Sequence, residues 1–226
     1  MKILAVDTST STCSVGIANA DGVLAESVDS SGQTHARHLM GMVLGTIAAS
    51  GIPIEEVDGL AVVTGPGTFT GLRIGISTIK GLAYALSRPA VGVTSLAALA
   101  SQAELRTKYV CPVMDARRSE VYYGLYVSEG GEASQVGMHH VAPPSELARE
   151  IDGSCQFIGN GARLYRKTFE TALGSMAMFS HTCRDTIRVE TIAKLALKQF
   201  QKNGPYKLSE VVPYYIRKSD AERNAR

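Results

Sequence analysis

No C-x-x-C pair occurs anywhere in this sequence; Cys13, Cys111, Cys155 and Cys183 stand far apart. Four cysteines could make two disulfides, but no signal peptide precedes them, and they read as small core hydrophobes in a reducing compartment. Nor is there a run of 18 or more apolar residues, as a membrane-spanning helix needs. The start, Met1-Lys2-Ile3-Leu4-Ala5-Val6-Asp7, reaches a buried-strand pattern and a carboxylate within seven residues. That leaves no room for a targeting segment, so a cytoplasmic location is expected. Strong charge of either sign is missing too: the net charge is +2 and the isoelectric point about 8.3, which gives no global electrostatic case for nucleic-acid binding. Any RNA contact must come from a local patch or another subunit.

What is present is an ordinary globular composition, 45% hydrophobic with a mean hydropathy of +0.03. A chain of 226 residues can bury roughly 70–75% of its unfolded surface, as one domain or two small lobes. Ile3 to Val6 reads as a short apolar strand. Cys13 to Ala18 and Val23 to Val28 alternate as two more, joined by the turn residues Asn19-Ala20-Asp21-Gly22. Leu39, Met42, Val43 and Ile47 recur at helical spacing between Thr34 and Ser50, and Gly51 and Pro53 end that helix. Gly59 to Thr64 has the continuous apolar character of a strand buried on both faces. A second helix is expected over Thr70 to Leu86, a strand over Ala90 to Val93, and a helix over Ser95 to Glu104 with Ser95 as its N-cap.

A lobe boundary is expected near Leu105 to Lys108. Residues 1–107 form a first lobe in the order βββαβαβα, and residues 108–226 a smaller second lobe with a C-terminal helix and tail. Strands are expected there over Tyr109 to Met114, Glu120 to Val127 and Gln135 to His140, and at Phe157-Ile158 before a glycine turn. Helices are expected over Pro143 to Ile151, Ala162 to Ala172 and Glu190 to Lys202, with Pro213 to Arg217 as a terminal strand or clamp. This order suits two ribonuclease H-like lobes, each a mixed sheet flanked by helices, which together make the actin-like α/β fold. A doubly wound sheet would need helices between the early strands.

Two motifs could carry chemistry. Asp7 ends an apolar strand before the hydroxyl-rich turn Thr8-Ser9-Thr10-Ser11-Thr12, a place where a phosphate or a hydrated Mg²⁺ could sit; alternatively Asp7 hydrogen-bonds its own turn. Thr64-Gly65-Pro66-Gly67-Thr68-Phe69-Thr70-Gly71-Leu72-Arg73-Ile74-Gly75 runs from strand through glycine turn to helix start. It lacks the Lys-Ser/Thr of a phosphate-binding Walker loop, and its glycine spacing fails the dinucleotide pattern. Gly71, Gly75 and Ile79 share one helical stripe; Ser77, Gly81 and Ala85 share another, and Gly41 and Gly45 repeat the spacing in the first helix. Each interior helix glycine costs about 1 kcal/mol. Close packing inside the lobe and an intermolecular helix bundle both account for them. His35/His38 and His139/His140 lack a completing ligand set and H-E-x-x-H is absent, so no metal site is expected. The G-x-S-x-G elbow of serine hydrolases is absent as well.

These segments, with Met114-Asp115-Ala116-Arg117-Arg118-Ser119-Glu120-Val121-Tyr122, Gly159-Asn160-Gly161 and Pro213-Tyr214-Tyr215-Ile216-Arg217, resemble the TsaB family, also called YeaZ, over residues 1 to about 220. The resemblance implies an actin-like fold and a non-catalytic scaffold role in making N6-threonylcarbamoyladenosine at position 37 of tRNAs that read codons beginning with A. It implies the paralogue TsaD as the catalytic partner, with a metal-binding histidine pair that this chain does not reproduce. It implies the ATPase TsaE as a third component, tRNA reached through the complex, and homodimers when the paralogue is absent. Carried over, the partner surface on the first two helices falls on His35, Leu39, Met42, Val43, Thr46, Gly71, Gly75 and Ile79. No cofactor of the chain's own is implied; ATP or ADP with Mg at the junction with the paralogue would make Asp7, Thr68 and Arg73 candidate nucleotide contacts. The family's His-Ser or His-Thr start to the first helix is replaced here by Thr34-His35-Ala36-Arg37-His38. The competing readings are a stand-alone ATPase or small-molecule kinase of the same fold, and a metallopeptidase.

Overall fold

The computed structural model describes residues 1–32, 35–104, 107–202 and 207–217, the side chain of Cys183 excepted. The expected lobe boundary at Leu105–Lys108 lies partly outside the described residues. So do Thr34 and the tail charges Lys218, Asp220, Glu222, Arg223 and Arg226.

The chain divides into two compact units. The first comprises Met1–Ser95 and Ile187–Tyr214; the second comprises Leu96–Thr186 and the segment that starts at Tyr215. In the first unit, β1 (Ile3–Asp7), β2 (Cys13–Asn19) and β3 (Gly22–Asp29) form an antiparallel meander. The β2–β3 turn closes because the Asn19 side-chain oxygen accepts the N–H groups of Asp21 and Gly22, and Gly22 has φ 139°. Helix α1 (His35–Ser50) stops at Gly51, which takes the left-handed conformation at φ 66°. Then follow β4 (Gly59–Gly65), α2 (Phe69–Leu86) and β5 (Ala90–Thr94), with β4 parallel to both β1 and β5. The sheet order is β3-β2-β1-β4-β5.

Every residue of β1 and β4 is buried, so this sheet needs a layer on each face. Helices α1 and α2 cover one face, packing Leu39, Val43, Leu72, Ile76 and Ile79 against Leu4, Val6, Val15 and Val62. The last helix, Val189–Lys202, supplies the other layer: a Cβ at Gly16 of β2 would lie 2.6 Å from the Val189 side chain, and one at Gly59 of β4 would lie 3.0 Å from Phe200. This corrects the expectation that the C-terminal helix belongs with the second lobe. A strand buried on both faces must find a second covering helix, and here the chain brings it from far downstream, β4 ending at Gly65 and the helix beginning at Val189.

The second unit repeats the arrangement. After α3 (Ser95–Ala100) come β6 (Tyr109–Asp115), β7 (Val121–Glu129), β8 (Glu132–Ala142), α4 (Pro144–Glu150), β9 (Cys155–Ile158), α5 (Asn160–Leu164), α6 (Arg166–Leu173) and β10 (Ala177–Phe179). With α7 (Val189–Lys202) in the first unit, that completes the described helices of regular α type. The second sheet runs β8-β7-β6-β9-β10, antiparallel among β6, β7 and β8 and parallel from β6 to β9 to β10. Its core stacks Phe157 on Phe169, ring centroids 4.4 Å apart, beside Cys111, Val113 and Tyr123. The two sheets have one topology, the ribonuclease H-like order expected of each half of an actin-like chain. Asp115 ends β6 as Asp7 ends β1, an equivalence that no shared motif announces.

Several local expectations change. Helix α3 ends at Ala100, short of Glu104. Ser95 is its first residue and does not cap it; its hydroxyl donates to the Pro66 carbonyl at 2.6 Å, bracing the glycine turn. The helix expected over Ala162 to Ala172 is two, broken at Tyr165. The edge strand β10 is three residues long, too short for a periodic signal. Pro213 to Arg217 forms no strand. The Tyr214 N–H donates to the Thr64 carbonyl at 2.8 Å, and Arg217 grips the β6–β7 turn through Glu120 Oε2 (2.6 Å) and the Ala116 carbonyl (2.7 Å). Cys13, Cys111 and Cys155 are buried free thiols.

Candidate partner-binding face

The hydroxyl-rich turn after β1 and the glycine turn after β4 meet in the first unit. The Asp7 carboxylate is buried and its Oδ1 accepts the Ser9 N–H at 2.8 Å, so Asp7 does bond its own turn. Burial pushes this carboxyl up to about 6, against the pull of the Ser9 amide and of nearby His35. The Thr8 hydroxyl donates to the Gly71 carbonyl at 2.7 Å, and the Ser9 carbonyl accepts the Thr68 N–H at 2.7 Å. His35 Nε2–H donates to the Thr10 carbonyl at 2.7 Å. One short turn thereby holds the first residue of α1 and the first turn of α2.

Gly67, Gly71 and Gly75 allow this approach. A Cβ at Gly67 would overlap the Ser9 carbonyl, one at Gly71 the Thr8 carbonyl, and one at Gly75 the Thr8 hydroxyl. The stripe Gly71–Gly75–Ile79 is buried and faces inward, so for these glycines packing within the lobe is the reason. Leu39 and Val43 are likewise core residues, and Thr46 is buried with its hydroxyl donating to Ser27 Oγ at 2.9 Å. Met42 is partly buried against the same core. Leu39, Val43, Thr46, Gly71, Gly75 and Ile79 therefore face the sheet or the Thr8 turn rather than outward, while His35 and Met42 are half-buried. Helical spacing groups residues into stripes, but it does not say which stripe the sheet takes.

The outward stripes are different residues. On α1 they carry Met40 (44% exposed), Gly41, Leu44 (62%), Gly45 and Ala48; on α2 they carry Ser77, Gly81, Tyr84 (83%) and Ala85. Neither helix contains a carboxylate. A Cβ built at Gly41, Gly45 or Gly81 meets nothing within 4 Å. Here the glycine cost has no internal compensation. The signal in the sequence was apolar Met40 and Leu44 beside the core stripe, on a helix where water-facing positions ordinarily carry charge.

Opposite stability effects are expected on the two kinds of glycine. Gly45→Ala should stabilise the isolated chain by about 0.5–1 kcal/mol, because the added methyl enters open space in a helix. Gly71→Ala should destabilise it by about 2–4 kcal/mol through collision with the turn. Thermal unfolding of the two variants checks both signs.

The candidate nucleotide contacts do not share one environment. Asp7 is buried, Thr68 is exposed, and Arg73 is exposed with its guanidinium 3.8 Å over the Phe69 ring. One histidine of each pair is bonded elsewhere: His35 to the Thr10 carbonyl, and His139 Nε2 to the Tyr126 hydroxyl at 2.8 Å. Among the described residues, no three His, Cys, Asp or Glu side chains are grouped to hold a metal ion, and no helix is long and apolar enough to cross a membrane.

Comparison with known proteins places this geometry. A family model described as TsaD, tRNA N6-adenosine threonylcarbamoyltransferase, matches residues 21–225. The tRNA threonylcarbamoyladenosine biosynthesis protein TsaB of Escherichia coli K12 is 37% identical over 169 residues, 71% of this chain and 72% of that protein. The solved structure of YeaZ from Pseudomonas aeruginosa is 31% identical, with a TM-score of 0.80 over 95% of this chain and 99% of that one. Component A of (R)-2-hydroxyglutaryl-CoA dehydratase from Acidaminococcus fermentans, 11% identical at a TM-score of 0.55 over 89% of this chain and 100% of that one, shares the fold alone. With whole-chain likeness to YeaZ and the glycine turn seated on the β1–β2 turn, the chain belongs to the TsaB family, also called YeaZ.

Proposed function

We propose that this chain acts in tRNA threonylcarbamoyladenosine biosynthesis as a non-catalytic pairing subunit, binding a TsaD-family transferase through the outward face of α1 and α2. The observation that carries the reading is the open stripe Gly41, Gly45 and Gly81 beside exposed Met40, Leu44 and Tyr84. Helix glycines without internal contacts, flanked by large apolar side chains, fit a partner helix whose backbone comes close. In the absence of the transferase, the same face pairs two copies of the chain. The transferase modifies adenosine 37 of tRNAs that read codons beginning with A, and TsaE and tRNA join through the assembled complex. ATP or ADP with Mg, where it meets this subunit, contacts the exposed Thr68 and Arg73 and leaves buried Asp7 to its turn.

The test is reconstitution. The TsaD-family partner should form threonylcarbamoyladenosine in tRNA only when this chain is added, and light scattering should give the mass of a 1:1 pair. Full activity of the partner alone would refute the pairing role. Tight Mg-ATP binding and phosphoryl transfer by the isolated chain would establish the kinase reading instead.

A further inference from the structure

The turn Thr8–Ser9–Thr10 touches both helices of the proposed face and is itself internally locked. Asp7 Oδ1 accepts the Ser9 N–H, and Thr10 Oγ1 accepts the Thr12 N–H at 3.1 Å. From this rigid base three bonds reach outward. Thr8 Oγ1–H goes to the Gly71 carbonyl, the Ser9 carbonyl takes the Thr68 N–H, and the Thr10 carbonyl takes His35 Nε2–H. Two of the three end on α2 or the residue before it; the third ends on the first residue of α1. Thr8 is completely buried, and its backbone and hydroxyl fill the notch left by Gly71 and Gly75.

We propose that Thr8 and His35 are positioning residues for partner binding, fixing where the N-terminal ends of α1 and α2 lie relative to each other; this rests on the pairing reading above. A partner packed across both helices depends on their spacing, since shifts of 0.5–1 Å forfeit about a quarter to a half of each van der Waals contact. Neither side chain belongs to the exposed stripes. Their effect on pairing therefore passes through helix placement.

Thr8→Val keeps the shape of the side chain and removes the hydroxyl that binds Gly71. It should weaken binding to the purified TsaD-family partner roughly 3- to 30-fold, measured well below the unfolding temperature where the chain is fully folded. Thr8→Ser, which keeps the hydroxyl, should restore most of that affinity. His35→Ala should weaken binding to a similar degree, and the double variant should lose less than the product of the two, because both act through one turn. A stability control comes from the opposite face of the sheet: Ile192→Val in α7 removes a buried methylene and should lower the unfolding temperature without changing affinity. Wild-type affinity in Thr8→Val, failure of Thr8→Ser to restore binding, or an equal loss in Ile192→Val would each overturn the inference while leaving pairing intact. If the unaltered chain does not bind the partner, the pairing reading fails and this inference with it.

Discussion

Leu44→Glu is expected to leave the isolated chain folded and to weaken the proposed pairing with a TsaD-family transferase at least a hundredfold. Leu44 is 62% exposed on α1, so a glutamate there meets water in the free chain, and glutamate is a better helix residue than most. In a complex that covers this face the same carboxylate would be desolvated beside Gly41 and Gly45, the exposed basic residue of its own stripe, Arg37, standing about two helical turns away. An unpaired buried charge costs several kcal/mol, and about 2.7 kcal/mol already gives a hundredfold. The neighbouring Val43 marks the contrast. It is fully buried against the sheet, so Val43→Glu should unfold the first unit and would say nothing about pairing. Unchanged circular dichroism with lost pairing in Leu44→Glu separates the two cases, and wild-type affinity there would move the interface off α1.

Asp7→Asn should make the chain more stable at neutral pH, by about 2–3 kcal/mol. The Asp7 carboxyl ionises near its ordinary value of 3.8 in the unfolded chain and near 6 in the folded one, because burial disfavours the charge. Such a group favours folding below pH 3.8 and loses that contribution as the pH rises through 6. The gap corresponds to about 3 kcal/mol at pH 7. Asparagine has the same shape, keeps an oxygen for the Ser9 N–H, and never ionises. For a chain of this size the gain should raise the unfolding temperature by roughly 5–10 °C near pH 7.5. The difference between variant and wild type should shrink toward zero below pH 4. Asp29 and Asp152, held below the ordinary carboxylate range chiefly by bonds from Ser31 and Lys108, act in the opposite sense but equally in both proteins. A variant less stable than wild type at neutral pH would mean that ionised Asp7 has a cationic partner.

The first unit was legible in the sequence because its elements are local and strongly patterned. The meander, both long helices and the glycine turn between β4 and α2 all fall where alternation, helical spacing and glycine place them. The position of α7 was not legible as sequence proximity, yet its cause was written in β4. A run apolar on both faces demanded a second layer that the preceding helices did not supply. The candidate face was half legible: helical spacing marked α1 and α2, but Leu39, Val43, Thr46, Gly71, Gly75 and Ile79, expected on it, are buried in the unit's own core. On α1 the core stripe Leu39–Val43–Thr46 and the outward stripe Met40–Leu44 are both apolar, so amphipathicity could not choose between them. The decisive constraint was Thr8, whose contact with Gly71 and Gly75 fixes which side of α2 faces the sheet. That contact joins positions more than 60 residues apart and has no sequence signature of its own.

Hydrogen exchange of the unaltered chain, alone and with a saturating amount of the proposed TsaD-family transferase, tests the central claim most directly. Pairing through the outward face predicts slowed exchange confined to peptides covering α1 (His35–Ser50) and α2 (Phe69–Leu86), with the second unit's β8 and β10 edges unchanged. Protection on those edges with none on α1 and α2 would contradict it.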